Sequence, residues 1–130
     1  AMDIAVLVGK TILVITGCEK DSDEIVIECS DGTKYQMLHH QDCCESVNIE
    51  DVEGDVEDLL VGPVVVAEEV SDDMVRMAIL TGAMGPERDV SESGTWTYYR
   101  IATAKGMVVI RWLGESNGYY SESVDFEQVV

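Results

Sequence analysis

The residues between positions 39 and 45 are of types that can bind a metal ion. The stretch reads His39-His40-Gln41-Asp42-Cys43-Cys44-Glu45, and imidazole and thiolate groups are the ligands that zinc prefers. One interpretation is therefore a zinc site, with the ligands His39, His40, Cys43 and Cys44. The alternative is a turn with buried cysteines, because adjacent residues of an extended chain point in opposite directions and no second Cys or His pair exists elsewhere.

Catalysis finds little support in the residue pattern. The sequence has no phosphate-binding glycine-rich loop, no Gly-x-Ser-x-Gly turn and no His-Glu-x-x-His helix. Cys43 with His39 or His40 has the residue types of a nucleophile and its base, but catalytic triads gather from distant parts of a chain. We expect a protein without enzymatic activity and without a cofactor other than the zinc considered above.

A second group of residues, of types that can bind a small planar ligand, surrounds a β-turn in the C-terminal third. Aromatic rings can stack on a planar ligand, and guanidinium and amide groups give directed hydrogen bonds. The residues predicted on this basis to bind a small nucleotide-like ligand are Trp96, Tyr98, Arg100, Arg111, Asn117 and Tyr119. The alternative is an ordinary hairpin in which Arg111 pairs with Glu122 across the strands.

The chain is strongly acidic, with 26 acidic and 8 basic residues and a formal net charge of −18. This charge opposes direct binding to nucleic-acid phosphates and to anionic membranes. One role for the negative charge is to keep the protein soluble. The other is to form an interface that mimics nucleic acid and binds a protein with a basic surface. The densest acidic run, predicted to contact such a partner, is Glu45, Glu50, Asp51, Glu53, Asp55, Glu57 and Asp58.

Short β-branched runs between turn residues predict the elements that would position these groups. The pattern indicates a mostly β fold, a compact antiparallel sandwich or partly open barrel with one or two short helices. Asp31-Gly32 predicts a hairpin turn. Predicted strands cover residues 10–16, 24–29, 34–38, 46–52 and 64–70, and a helical turn covers residues 55–60.

The C-terminal third is predicted to form a three-strand meander over residues 95–104, 107–113 and 119–129. A two-residue turn at Lys105-Gly106 would place Arg100 directly opposite Arg111, on the face away from Ile101 and Ile110. Two directly opposed like charges are unfavourable unless an anionic group lies between them. In so acidic a chain we expect that group to be a carboxylate, with Glu122 and Asp125 the nearest candidates, rather than a ligand. The predicted core face holds Tyr99, Ile101, Val108, Ile110, Trp112, Tyr120, Val124 and Phe126.

The length of 130 residues predicts one domain over residues 1–130, with Ala1-Met2 as a remnant of a cloning vector. Without a membrane-spanning segment or a secretion signal, we expect a cytoplasmic protein with reduced thiols. A disulfide between Cys43 and Cys44 would need a strained ring. Residues 73–80 fit either a short helix or a strand, and residues 82–94 are predicted to form a loop. The methionine-rich stretch Met74–Met84 is a predicted surface for homo-oligomer formation.

Two longer stretches and two short motifs are similar to a known family. They are HQDCCESVNIED from His40, IRWLGESNGYYSESV from Ile110, Gly54-Asp55, and TWTYY from Thr95. Together they resemble a family of uncharacterised domains encoded mostly by tailed bacteriophages and prophages, over most of residues 9–70 and 95–129. The resemblance implies a phage-derived accessory protein in the cytoplasm of a bacterial host, and no catalytic activity comes with it.

These observations predict a non-catalytic binding protein that counters a host defence. It would act by presenting an acidic surface to a basic host or phage protein, or by capturing a nucleotide-like ligand. The competing prediction is a structural or assembly component that self-associates.

Overall fold

The computed structural model describes residues 2–70 and 93–130. This part of the chain folds into two antiparallel sheets with two short 3₁₀ helices, Ile4–Leu7 and Val56–Leu60. The predicted mostly β sandwich is therefore confirmed. The strands in chain order are β1 (Ile12–Thr16), β2 (Glu24–Cys29), β3 (Lys34–Leu38), β4 (Ser46–Glu53), β5 (Val66–Val70), β6 (Ser93–Ala102), β7 (Met107–Ser116) and β8 (Asp125–Val129).

The strand order is β1-β2-β3-β8 in one sheet and β4-β7-β6-β5 in the other. Alternation of apolar and polar residues gives each strand one inward face, as in β2, where Ile25 and Ile27 are buried and Glu24 and Glu28 are exposed. The inward faces of both sheets supply one hydrophobic core, whose burial drives folding. Its largest fully buried side chains include Trp112, Tyr35, Tyr99, Ile12, Ile25, Ile27, Met37, Ile49 and Ile101.

The β2–β3 hairpin follows the prediction from Asp31-Gly32. Gly32 has a φ of 85°, which glycine adopts without steric cost. Asp31 Oδ1 accepts a 3.0 Å hydrogen bond from the backbone N–H of Thr33. The turn thereby sets the register in which Ile27 lies opposite Tyr35.

The predicted C-terminal meander is wrong in its third strand. Strand β8 pairs with β3 in the other sheet, from Lys34 opposite Val129 to Leu38 opposite Asp125. The partner of a strand at the end of the chain depends on which sheet has an edge to receive it. Apolar alternation alone does not specify that choice.

The β6–β7 register also differs from the prediction. Arg100 lies opposite Val109 and Arg111 lies opposite Tyr98, so the two arginines share a face as predicted but are not directly opposed. The turn begins at Thr103, whose N–H donates to the carbonyl of Gly106 at 3.0 Å. Thr103 Oγ1 also donates to the carbonyl of Asp58 at 2.5 Å, a contact that local turn rules could not anticipate.

Three described loops meet at one end of the sandwich, because odd-numbered strands end there and even-numbered strands begin there. They are residues 17–23, 39–45 and 117–124. The first loop is fixed to β4 by two 2.8 Å hydrogen bonds, from Asp21 N–H to the Ile49 carbonyl and from Ile49 N–H to the Ser22 carbonyl. We call this region the loop end.

Within residues 2–70 and 93–130, no helix is long and apolar enough to cross a membrane. The predicted oligomer surface at Met74–Met84 lies outside the described residues.

Candidate functional site

A buried histidine–glutamate pair lies within the loop end. The side chains of His39 and Glu45 are 4% and 0% exposed, and His39 Nε2 lies 2.7 Å from Glu45 Oε2. The other ring nitrogen, Nδ1, lies 2.6 Å from the carbonyl oxygen of Ser123. Carbonyl and carboxylate oxygens only accept hydrogen bonds, so the ring can donate to both partners only when both nitrogens carry protons. The pair is therefore a buried ion pair that joins two loops of the loop end.

Glu45 also organises the loop that carries it. Its carboxylate accepts 2.8 Å hydrogen bonds from the N–H groups of Asp42 and Cys43, and its carbonyl accepts one from Gln41 Nε2 at 2.6 Å. The hydrogen bond from His39 is the main cause that lowers the pKa of Glu45 to about 2, and the two backbone N–H groups act in the same direction. The prediction that Glu45 contacts a partner is wrong, because its carboxylate is buried and already bound.

A disulfide joins Cys43 and Cys44, both of which are exposed. The structure thus differs from the expectation of reduced thiols at these two positions, where the backbone bends as it wraps around Glu45. Cys18 and Cys29 are free thiols, and burial raises the pKa of Cys18 to about 11, which disfavours its thiolate form.

The four residues predicted to bind zinc do not converge in this arrangement. Both nitrogens of His39 are occupied, and the sulfurs of Cys43 and Cys44 are bonded to each other. His40 lies on the surface, with Nε2 3.0 Å from Glu127 Oε2, and this contact raises the pKa of His40. Among the described residues, no group of three His, Cys, Asp or Glu side chains is placed to hold a metal ion.

A pocket of about 340 Å³ opens beside the buried pair. Leu38 and Val47 contribute apolar surface, and Gln41 and Asn48 contribute amides. We call it the loop-end pocket. The residues that line it are Asp23, Glu24, Leu38, His39, Gln41, Glu45, Ser46, Val47 and Asn48.

The two arginines predicted to bind a ligand are each paired with a carboxylate. Arg100 contacts Glu68 on β5 at 2.5 Å, and Arg111 pairs with Asp51 on β4 and lies 3.7 Å from Glu53. The prediction that Glu122 or Asp125 would be the partner is wrong. Asp125 begins β8 in the other sheet, and Glu122 instead accepts hydrogen bonds from Thr95 and Ser116. The guanidinium of Arg100 therefore faces β5 and that of Arg111 faces β4, so the two groups point away from each other.

The predicted ligand residues divide into two groups. The Arg111 guanidinium lies 5.8 Å from the ring centroid of Tyr98, and Tyr98 forms an edge-to-face contact with Trp96. Trp96 is only 8% exposed. Asn117 and Tyr119 follow β7 in the loop end, where Tyr119 is 83% exposed.

Glu122 belongs to the loop end rather than to the arginine face. It is buried and accepts a 2.7 Å hydrogen bond from Thr95 and another from Ser116. Glycine is required at position 114, because a Cβ there would lie 2.7 Å from the Cβ of Glu122. These contacts fold the 117–124 loop back against β6 and β7.

The rest of the acidic run lies along β4 and the turn that follows it. Asp51 is half-buried against Arg111, and Asp55 caps the second 3₁₀ helix by accepting from the N–H of Glu57 at 3.0 Å. Asp58 is also half-buried. We call the exposed members the β4 acidic face, and they are Glu50, Glu53, Asp55 and Glu57.

The sequence reasoning missed Asp23, Glu24 and Asn48, which line the loop-end pocket. They sit at the starts of β2 and β4 or just before them. Counting strand direction could have found them, because in an antiparallel fold every second connection returns to the same end.

Acid is expected to weaken the contribution of Glu45 to stability. Its folded-state pKa of about 2 lies below its ordinary value of 4.5, so this contribution is complete above pH 4.5 and is lost as the pH falls toward 2. Urea denaturation between pH 6 and pH 2 measures it. The stability difference between the parent and Glu45→Gln should shrink across that interval. A difference that does not change with pH would contradict the assignment.

The chain belongs to a family known as a domain of unknown function (DUF7448), whose model matches residues 5–126. No curated protein and no solved structure matches the chain.

Proposed function

We propose that this member of the DUF7448 family is a non-catalytic binding protein that presents carboxylates to a partner protein with a basic surface. The observation that carries the proposal is the β4 acidic face, where four exposed carboxylates follow one another along an edge strand and the next turn. A row of fixed negative charge attracts the kind of surface that binds nucleic-acid phosphates.

The pairing of the arginines favours this proposal over capture of an anionic nucleotide. An anionic ligand would have to displace Glu68 from Arg100, or Asp51 from Arg111. Each displaced carboxylate would then repel the ligand in a chain of net charge −18. A protein partner needs neither displacement, because the β4 acidic face is already exposed.

The proposed biological setting comes from the family resemblance of the two longer stretches and two short motifs. We place the protein in the cytoplasm of a bacterial host as a phage-derived accessory protein that counters a host defence. A host protein that binds nucleic acid would be the natural target, because its basic site suits the β4 acidic face.

The test compares two variants of equal charge as baits in a bacterial lysate. Glu57→Gln removes one charge from the β4 acidic face, whereas Glu28→Gln removes one exposed charge from β2 in the other sheet. We expect the parent and the control to retain a basic protein at low salt and to release it as salt screens the charges. The β4 variant should bind it about two- to fivefold more weakly per lost carboxylate.

Two outcomes would contradict the proposal. One is that no basic protein is retained even at low ionic strength. The other is that both variants lose the partner equally, since net charge rather than the β4 acidic face would then control binding.

A further inference from the structure

The loop-end pocket combines features that suit an alkyl cation. Its volume of about 340 Å³ lies within the range of small-ligand sites. Leu38, which is half-buried, can contact an aliphatic stem, while the amide oxygens of Gln41 and Asn48 can accept hydrogen bonds from a cationic head. The pocket therefore offers both an apolar wall and polar acceptors.

Two carboxylates that line the pocket are available to bind a cation. Glu45 is neutralised by His39, and neither residue needs a further partner. Asp23 and Glu24 line the same pocket, and no ion pair involves either carboxylate among residues 2–70 and 93–130. Among the residues that the structure describes, no lysine or arginine lines the pocket, so the charges of its described lining are negative.

The loop that forms one wall is held in place before any ligand arrives. Glu45 fixes the N–H groups of Asp42 and Cys43, and His39 ties this loop to Ser123. A pre-organised pocket loses less conformational entropy on binding than one that must order itself.

We propose that the loop-end pocket receives an arginine side chain of the basic partner, which makes it a second contact beside the β4 acidic face. A guanidinium presents several N–H donors in one plane, which matches carboxylates and amide oxygens around a common space. The inference rests on the proposed function for its biological meaning, but the pocket can be tested without the partner.

The probe is butylguanidinium, which reproduces the end of an arginine side chain, and its control is butylurea, which has a similar shape and no charge. Binding to the ¹⁵N-labelled chain is followed by shifts of backbone amide signals. We expect saturable shifts at Gln41, Val47 and Asn48 with butylguanidinium and none with butylurea. Asp23→Asn and Glu24→Gln should each weaken binding about two- to fivefold.

Glu28→Gln is the matched control, because it removes one exposed charge from the end of β2 away from the pocket and should leave binding unchanged. The inference is overturned if butylguanidinium causes no saturable shift. It is also overturned if the shifts spread over the acidic surface and Glu28→Gln reduces them as much as Asp23→Asn does. That result would mean that the cation is only a counterion.

The lysate experiment separates failure of this inference from failure of the proposed function. If Asp23→Asn/Glu24→Gln retains the basic partner as well as the parent does, the β4 acidic face stands and the pocket contact is wrong. If butylguanidinium binds in the pocket but no basic protein is retained, the pocket stands as a cation site and the proposed function is wrong.

Discussion

Replacing Glu45 with glutamine is expected to lower the ratio of folded to unfolded chains by at least about a hundredfold, because it leaves a buried charge without its partner. Three donors surround the carboxylate, namely His39 Nε2 and the N–H groups of Asp42 and Cys43. A glutamine offers one acceptor oxygen, so its NH₂ group must face at least one of these donors. The midpoint of urea denaturation at pH 7 measures the loss.

Two further variants make this prediction specific to the pair. Glu57→Gln removes an exposed carboxylate and should leave the midpoint almost unchanged. His39→Gln/Glu45→Gln should be more stable than the sum of the two single losses implies, since it leaves no unpaired charge. Additive losses, or a midpoint for Glu45→Gln equal to that of the parent, would show that the two side chains do not form a buried ion pair.

Replacing Trp112 with alanine is expected to lower the free energy of unfolding by about 3–5 kcal/mol. The indole is fully buried on β7, and its Nε1–H lies 3.3 Å from the sulfur of Met37 on β3. The side chain thus joins the two sheets, and its loss leaves a cavity that rigid strands can only partly close. Thermal or urea denaturation followed by circular dichroism measures the effect.

Tyr119→Ala is the matched control, since it also removes an aromatic ring but from a side chain that is 83% exposed. Its free energy of unfolding should stay within about 0.5 kcal/mol of the parent. A comparable loss in both variants would mean that the interior near Trp112 can repack around the cavity.

The strands that local pattern specifies most strongly were predicted correctly. The bounds of β2 and β3 match the prediction, because clear alternation and an Asp-Gly turn define both strands and their register. The β6–β7 register was missed because a tertiary contact from Thr103 to Asp58 extends the turn. The partner of β8 was missed because that choice depends on an edge formed far away in the sequence.

The candidate site could be predicted by residue type but not by arrangement. His39, Cys43, Cys44 and Glu45 were recognised as chemically capable, yet the sequence suggested metal ligands and an exposed acid. The structure instead shows a buried ion pair that bends the loop around a carboxylate. Burial of Glu45 depends on the Ser123 carbonyl that holds His39, and no local rule connects positions so far apart.

The pairing of β3 with β8 has a consequence for the chain while it is being synthesised. β3 emerges from the ribosome well before β8, and at usual rates of translation the delay is roughly 5–20 seconds. During that time the edge of β3 that will receive β8 stays open, and an open strand edge can pair with other nascent chains. The abundant carboxylates of this chain would then prevent such pairing before folding is complete, because like charges keep neighbouring nascent chains apart.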